Sequence, residues 1–90
     1  MIAIARFQVP QASTAEFIAN GEIALAALAA SDGYIHGEFG QNTDEPDIWA
    51  LVTVWKNVGS YRRALGNNRV KMEAVPMLAL AIDEPGAYTR

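Results

Sequence analysis

The sequence predicts an α+β fold in which an antiparallel sheet is covered by helices, and three observations carry that expectation. Two β-type runs, Tyr34–Gln41 and Ile48–Trp55, flank a polar segment, Asn42–Asp47, that contains Pro46, which is a strand–turn–strand signature. Stretches with helical periodicity stand before and after this pair. The second run is apolar on both parities, with Ile48, Ala50, Val52 and Val54 on one side and Trp49, Leu51 and Trp55 on the other. A half-exposed strand alternates apolar with polar residues, so this one is expected to be covered on both faces. The chain's own helices can supply one cover, and a second copy of the chain is expected to supply the other.

Taken in order, Met1–Val9 reads as a strand, with Ile2 and Ile4 on one parity and Ala3, Ala5 and Phe7 on the other, stopped by Pro10. Ser13-Thr14-Ala15-Glu16 fits a capping box and opens a helix expected to run to about Ala30. Its inner stripe is Phe17, Gly21, Ala24, Leu25 and Leu28. Gly21 weakens such a helix by about 1 kcal/mol relative to Ala, unless close contact with the sheet requires the missing side chain. Gly33 suits a left-handed helix terminus. With the hairpin centred between Asp44 and Glu45, Tyr34 pairs with Trp55, His36 with Thr53, Glu38 with Leu51 and Gly40 with Trp49. One sheet face then carries Tyr34, His36, Glu38, Trp49, Leu51, Thr53 and Trp55, and the other carries Ile35, Gly37, Phe39, Ile48, Ala50, Val52 and Val54.

Asn57 can cap a second helix, Val58–Leu65, with Val58, Tyr61, Arg62 and Leu65 inward. Val70–Ala81 is helical again, with Pro76 kinking it or starting a new turn. Asp83-Glu84-Pro85-Gly86 turns the chain, and Ala87–Arg90 can add a terminal strand. The order β-α-β-β-α-(α)-β is that of a ferredoxin-like sandwich, expected as a single domain over residues 1–90.

Composition narrows the function. Seven basic and ten acidic residues leave a net charge of −3, which argues against general nucleic-acid binding. With no cysteine, thiolate chemistry and Cys-based zinc sites are excluded. The longest apolar run, Ile23–Ala30, has eight residues, far short of the roughly 20 that span a bilayer. The N-terminal MIAIARF lacks the pattern of a secretory signal, so no membrane association and a cytoplasmic location are expected. Hydrophobic residues make up 51% of the chain, and that excess again points to a homodimer.

The segment Gly33–Leu65, GYIHGEFGQNTDEPDIWALVTVWKNVGSYRRAL, resembles the core of antibiotic biosynthesis monooxygenase domains. Shared features are the Gly-Tyr opening of strand two, a glutamate within it, a short acidic turn, an apolar strand ending in Trp, and a helix carrying an aromatic residue. The resemblance implies a ferredoxin-like protomer that pairs with a second to form a dimeric α+β barrel. Some members oxygenate polycyclic phenols to quinones without metal or flavin, the substrate itself activating oxygen. These use an asparagine, a tryptophan, a tyrosine and an arginine around the substrate, residue types that this chain contains. Others degrade haem with a strand-one asparagine, a tryptophan and a ligating histidine. Here strand one offers Arg6 and Gln8, and the lone histidine, His36, lies on strand two.

The expected function is therefore cofactor-independent monooxygenation of an aromatic or polycyclic small molecule. The alternative is a non-catalytic dimeric module that binds a small molecule or a partner. His36, polarised by Glu38 two residues on, can act as a general base, or it can bond a backbone group at the dimer interface. One His and one Glu fall short of a metal site. Tyr61 is the other candidate for deprotonating the substrate, and Arg62 can stabilise the oxyanion. Trp49, Tyr34, Glu38 and Asn68 are candidate substrate contacts, whereas Trp55 is expected in the core and Asn67 in turn chemistry.

Overall fold

The computed structural model describes Met1–Arg90. Strand β1 (Ile2–Gln8) leads through a 3-10 turn (Gln11–Ser13) into helix α1 (Thr14–Ala29), followed by β2 (Tyr34–Gln41) and β3 (Ile48–Trp55). Then come α2 (Val58–Leu65), α3 (Asn68–Glu73), α4 (Val75–Leu78) and the short β4 (Ala87–Tyr88). The strands form one antiparallel sheet in the order β2-β3-β1-β4, the ferredoxin-like arrangement expected from the element order. No helix is long and apolar enough to cross a membrane.

The helices cover one sheet face. There Ala3 and Phe7 of β1 and Trp49, Leu51, Thr53 and Trp55 of β3 are buried. They meet Ala24, Ala27 and Leu28 of α1, Ala64 of α2, Val70 of α3, and Ala74 and Met77 beyond it. Trp55 is 1% exposed, and burying an indole of this size contributes roughly 4–6 kcal/mol of hydrophobic free energy. Gly21 is also buried, and the Phe39 ring of β2 lies against it. Gly33 has φ +87°, the left-handed conformation expected at the end of α1.

The N-terminus of α1 departs from the capping box. Ser13 is the residue before the helix but makes no side-chain capping bond. It closes the preceding 3-10 turn, donating its N–H to the Pro10 carbonyl at 2.8 Å, and its φ of −100° and ψ of 2° are not the extended geometry a cap requires. By contrast, the Asn57 side chain accepts from Ser60 N–H as expected and starts α2. The expected third helix is divided: Ala74 separates α3 from α4, and Pro76 occupies the first turn of α4.

The hairpin register corrects the expected face assignment. Next to the loop the pairs are Gln41 with Trp49, Phe39 with Leu51 and Gly37 with Thr53. The register then shifts between Tyr34 and His36, which restores Tyr34 opposite Trp55. Ile35 is the extra residue of this bulge and is 63% exposed. The loop itself is an Asx turn, in which Asn42 Oδ1 accepts from both Asp44 and Glu45 N–H at 2.8 Å. It therefore centres on Glu45 rather than between Asp44 and Glu45. His36 and Glu38 accordingly pair with Val54 and Val52 on the face away from the helices, and Phe39 joins the core.

Candidate functional site

A cavity of about 540 Å³ lies between the helix-covered sheet face and the helices. Ala3, Ala5, Leu51 and Thr53 form its floor, and Leu28, Tyr61, Leu65, Val75 and Leu78 form its helical side. Segment 79–87 closes the remaining side through Ala81, Ile82, Glu84 and Ala87. Thirteen of its sixteen lining residues are hydrophobic, so a mostly apolar molecule fits it.

The polar side chains in this wall are few, namely Thr53, Tyr61 and Glu84. Trp55 Nε1 donates to Thr53 Oγ1 at 2.8 Å, which leaves the Thr53 hydroxyl its own proton to donate. The Trp55 ring packs on Tyr61, with centroids 5.6 Å apart, and edge-to-face against Tyr34 at 5.5 Å. Burial raises the pKa of the Tyr61 phenol above the ordinary 10.0, and Tyr34 is shifted the same way by the same cause. Tyr61 is thus a phenol at neutral pH, with a proton available to donate in a hydrogen bond. Glu84 is the one carboxylate in the lining, and its hydrogen bond with the Arg6 guanidinium holds it below the usual carboxylate range.

Among the expected site residues, Tyr61 lines the cavity and Tyr34 buttresses it through Trp55. His36 and Glu38 form their expected pair, with His36 Nε2 and Glu38 Oε2 3.0 Å apart, but on the opposite face of the sheet. Their side chains are 63% and 75% exposed. Arg62 is exposed, because α2 turns Ser60 and Ala64 inward, with Tyr61 and Leu65 beside them. Asn68 is exposed at the start of α3, where Asn67 supplies the cap by accepting from Arg69 N–H at 2.9 Å. Trp49 is buried among Phe17 and Phe39, and its indole N–H has no partner.

Sequence reasoning placed Thr53 on the expected mixed face without giving it a role, and missed Glu84 and Ile82 as parts of this wall. Thr53 is the one polar residue on an otherwise apolar parity of β3, a signal that was available. Nothing local marks Glu84 or Ile82, whose placement depends on distant β1. No three His, Cys, Asp or Glu side chains converge as metal ligands. A second cleft, of about 600 Å³, opens between α1 and α3–α4 at Ile23, Met72 and Leu80, and half of its lining is not hydrophobic, including Ser13, Glu16, Asn20 and Glu73.

The same architecture occurs in known proteins. SnoaB, a cofactor-independent oxygenase from Streptomyces nogalater, is 25% identical with a TM-score of 0.82, over 99% of this chain and 90% of SnoaB. A conserved protein from Methanosarcina mazei Go1 is 21% identical with a TM-score of 0.77, over 96% of this chain and 84% of its own. Rv0793 from Mycobacterium tuberculosis is 16% identical with a TM-score of 0.73, over 96% and 86% respectively. The last two likenesses concern the fold alone. No curated protein sequence matches the chain. The model of the family described as antibiotic biosynthesis monooxygenase matches residues 1–72, most of the length, and with the fold in agreement the chain belongs to that family.

Proposed function

We propose that the chain is a monooxygenase for a phenolic or polycyclic aromatic molecule bound between the sheet and the helices. The apolar cavity beside the Tyr61 and Thr53 hydroxyls carries this reading, and family membership and the likeness to SnoaB support it. A ring system buries its apolar area there while its oxygen accepts from Tyr61, with Thr53 as a second donor. Those donors stabilise the oxyanion that forms when an activated methylene loses its proton to water. The resulting carbanion supplies the electrons that reduce dioxygen. A carbon–oxygen bond forms, the peroxide takes up the proton, and loss of water leaves a ketone: CH2 plus O2 gives C=O plus H2O. His36, Glu38, Arg62, Asn68 and Trp49 have no direct part in this proposal.

Oxygen uptake with a panel of anthrones and quinols tests it. Uptake is expected with at least one, reduced about 100- to 1,000-fold by Tyr61→Phe through loss of one oxyanion donor. No uptake across the panel, or uptake unchanged by Tyr61→Phe, would refute the assignment. The cavity lacks a histidine and its carboxylate is engaged by Arg6, which favours a second reading as a binding module without turnover. Binding of the same compounds without oxygen consumption would select that reading.

We also propose that the protein works as a homodimer through the uncovered sheet face. Ile4, Ala50, Val52 and Val54 are only half-buried there, and Ile2 and Tyr88 are exposed. A sedimentation mass of twice 9.7 kDa is expected, falling to 9.7 kDa in Val52→Lys. A wild-type mass of 9.7 kDa at micromolar concentration contradicts the dimer.

A further inference from the structure

The cavity wall is assembled from two parts of the chain. The floor and the Leu28, Tyr61 and Leu65 part of the helical side belong to residues 1–72, the span that the family model matches. The rest belongs wholly to Val75–Ala87, beyond that span. After α4 this segment has little regular structure of its own, so its position depends on how it is fastened.

Besides the β1–β4 pairing at Ala87, three attachments tie it to β1. Ile82 N–H donates to the Arg6 carbonyl at 2.8 Å, and Ile4 N–H donates to the Gly86 carbonyl at 2.6 Å. Between these, Arg6 Nε and Nη2 each donate to one Glu84 carboxylate oxygen at 2.7 Å, a bidentate fork. Gly86 presses so closely on Ile4 that a side chain there would collide with the Ile4 carbonyl. The segment is a strap pinned at both ends, with one ion pair holding its middle. The downward shift of Glu84 and the upward shift of Arg6 both arise first from their mutual hydrogen bonds.

We infer that this strap sets the size of ring system the cavity admits, and that the Arg6–Glu84 fork is the latch fixing its position. The inference rests on the cavity being the ligand site. The latch is a positioning device: Arg6 acts on the ligand only through Glu84 and Ile82. Within the protomer the pair lies outside the core, so breaking it loosens the strap without unfolding the body.

Calorimetric titration with phenol, naphthol and hydroxypyrene, which carry one, two and four rings, measures the size preference. Amide hydrogen exchange at Ile82 measures the latch independently of any ligand. In Glu84→Gln and Arg6→Gln, Ile82 exchange is expected to quicken about two- to fivefold, while Leu28 in α1 stays unchanged. The affinity ratio of hydroxypyrene to naphthol should rise by a similar factor. The reversed pair, Arg6→Glu with Glu84→Arg, should restore both readouts. Unchanged Ile82 exchange overturns the latch, and faster exchange with an unchanged ratio overturns the strap as size filter. If the wild type binds none of the three phenols, the cavity reading itself fails and takes the inference with it.

Discussion

Replacing Gly21 by alanine sets two local terms of similar size against each other. A methyl group at Gly21 would lie 3.2, 3.3 and 3.4 Å from Cζ, Cε1 and Cε2 of Phe39, inside the roughly 3.5–4.0 Å of an easy carbon contact. In an unobstructed helix the change stabilises by about 1 kcal/mol. Here the ring must give way by a few tenths of an ångström, and it is not free. It packs edge-on to Phe17, with centroids 6.2 Å apart, and tilted to Trp49 at 6.3 Å. Overpacking costs about 1–3 kcal/mol, and the low end applies because the obstruction is the tip of a half-buried side chain. Gly21→Ala should therefore be neutral to about 0.5 kcal/mol destabilising. In a Phe39→Leu background the same change should recover the full gain of about 1 kcal/mol. Urea unfolding of the four proteins, at one protein concentration and with unchanged m, measures the coupling. If Gly21→Ala stabilises the wild type by about 1 kcal/mol with no coupling to Phe39, the steric argument is refuted.

The two indoles should differ in what their N–H groups contribute. Trp55 donates to Thr53, whereas Trp49 leaves a buried donor unpaired, so Trp49→Phe should cost about 1–3 kcal/mol less than Trp55→Phe in denaturant unfolding. Tyrosinate absorbance should include a portion developing above pH 10.0 that shrinks in Tyr61→Phe. Because the folded value exceeds the unfolded one, stability from this group is fully present below pH 10.0 and lost as pH rises through the folded value, so Tyr61→Phe should flatten the alkaline decline.

The order of elements, the Asn57 cap and the break at Pro76 were legible because each has a local signal: periodicity, a capping side chain, a missing N–H. The double-sided apolarity of β3 correctly marks its buried face, and its other face is half-buried. The capping box was plausible by type, but the preceding 3-10 turn at Pro10 had already committed the Ser13 backbone. Arg62 was misplaced by the phase of a short helix, in which a small rotation exchanges inner and outer residues. The strap was illegible because the bond from Ile82 to Arg6 joins opposite ends of the chain and involves backbone atoms, which carry no residue signature.

The register of the hairpin has the largest consequence for chemistry. A half-residue difference in where the turn Asn42–Asp47 is centred exchanges the two faces of β2, and no residue type in the turn marks the difference. Centred between Asp44 and Glu45, it would turn His36 to the helices. Centred on Glu45, it places His36 on the uncovered face, and the sheet separates it from Tyr61, while the bulge at Ile35 returns only Tyr34 to the covered face. The two faces therefore offer different chemistry: hydroxyl donors within an apolar cavity, and an exposed imidazole–carboxylate pair outside it. Loss of a general base lowers turnover about 10²- to 10⁴-fold. His36→Ala is instead expected to leave oxygen uptake within about twofold of wild type, while Tyr61→Phe lowers it. A fall of the larger size in His36→Ala would mean that the imidazole reaches the substrate. No rotamer on the far side of the sheet permits that, so the site would then have to form across the uncovered face.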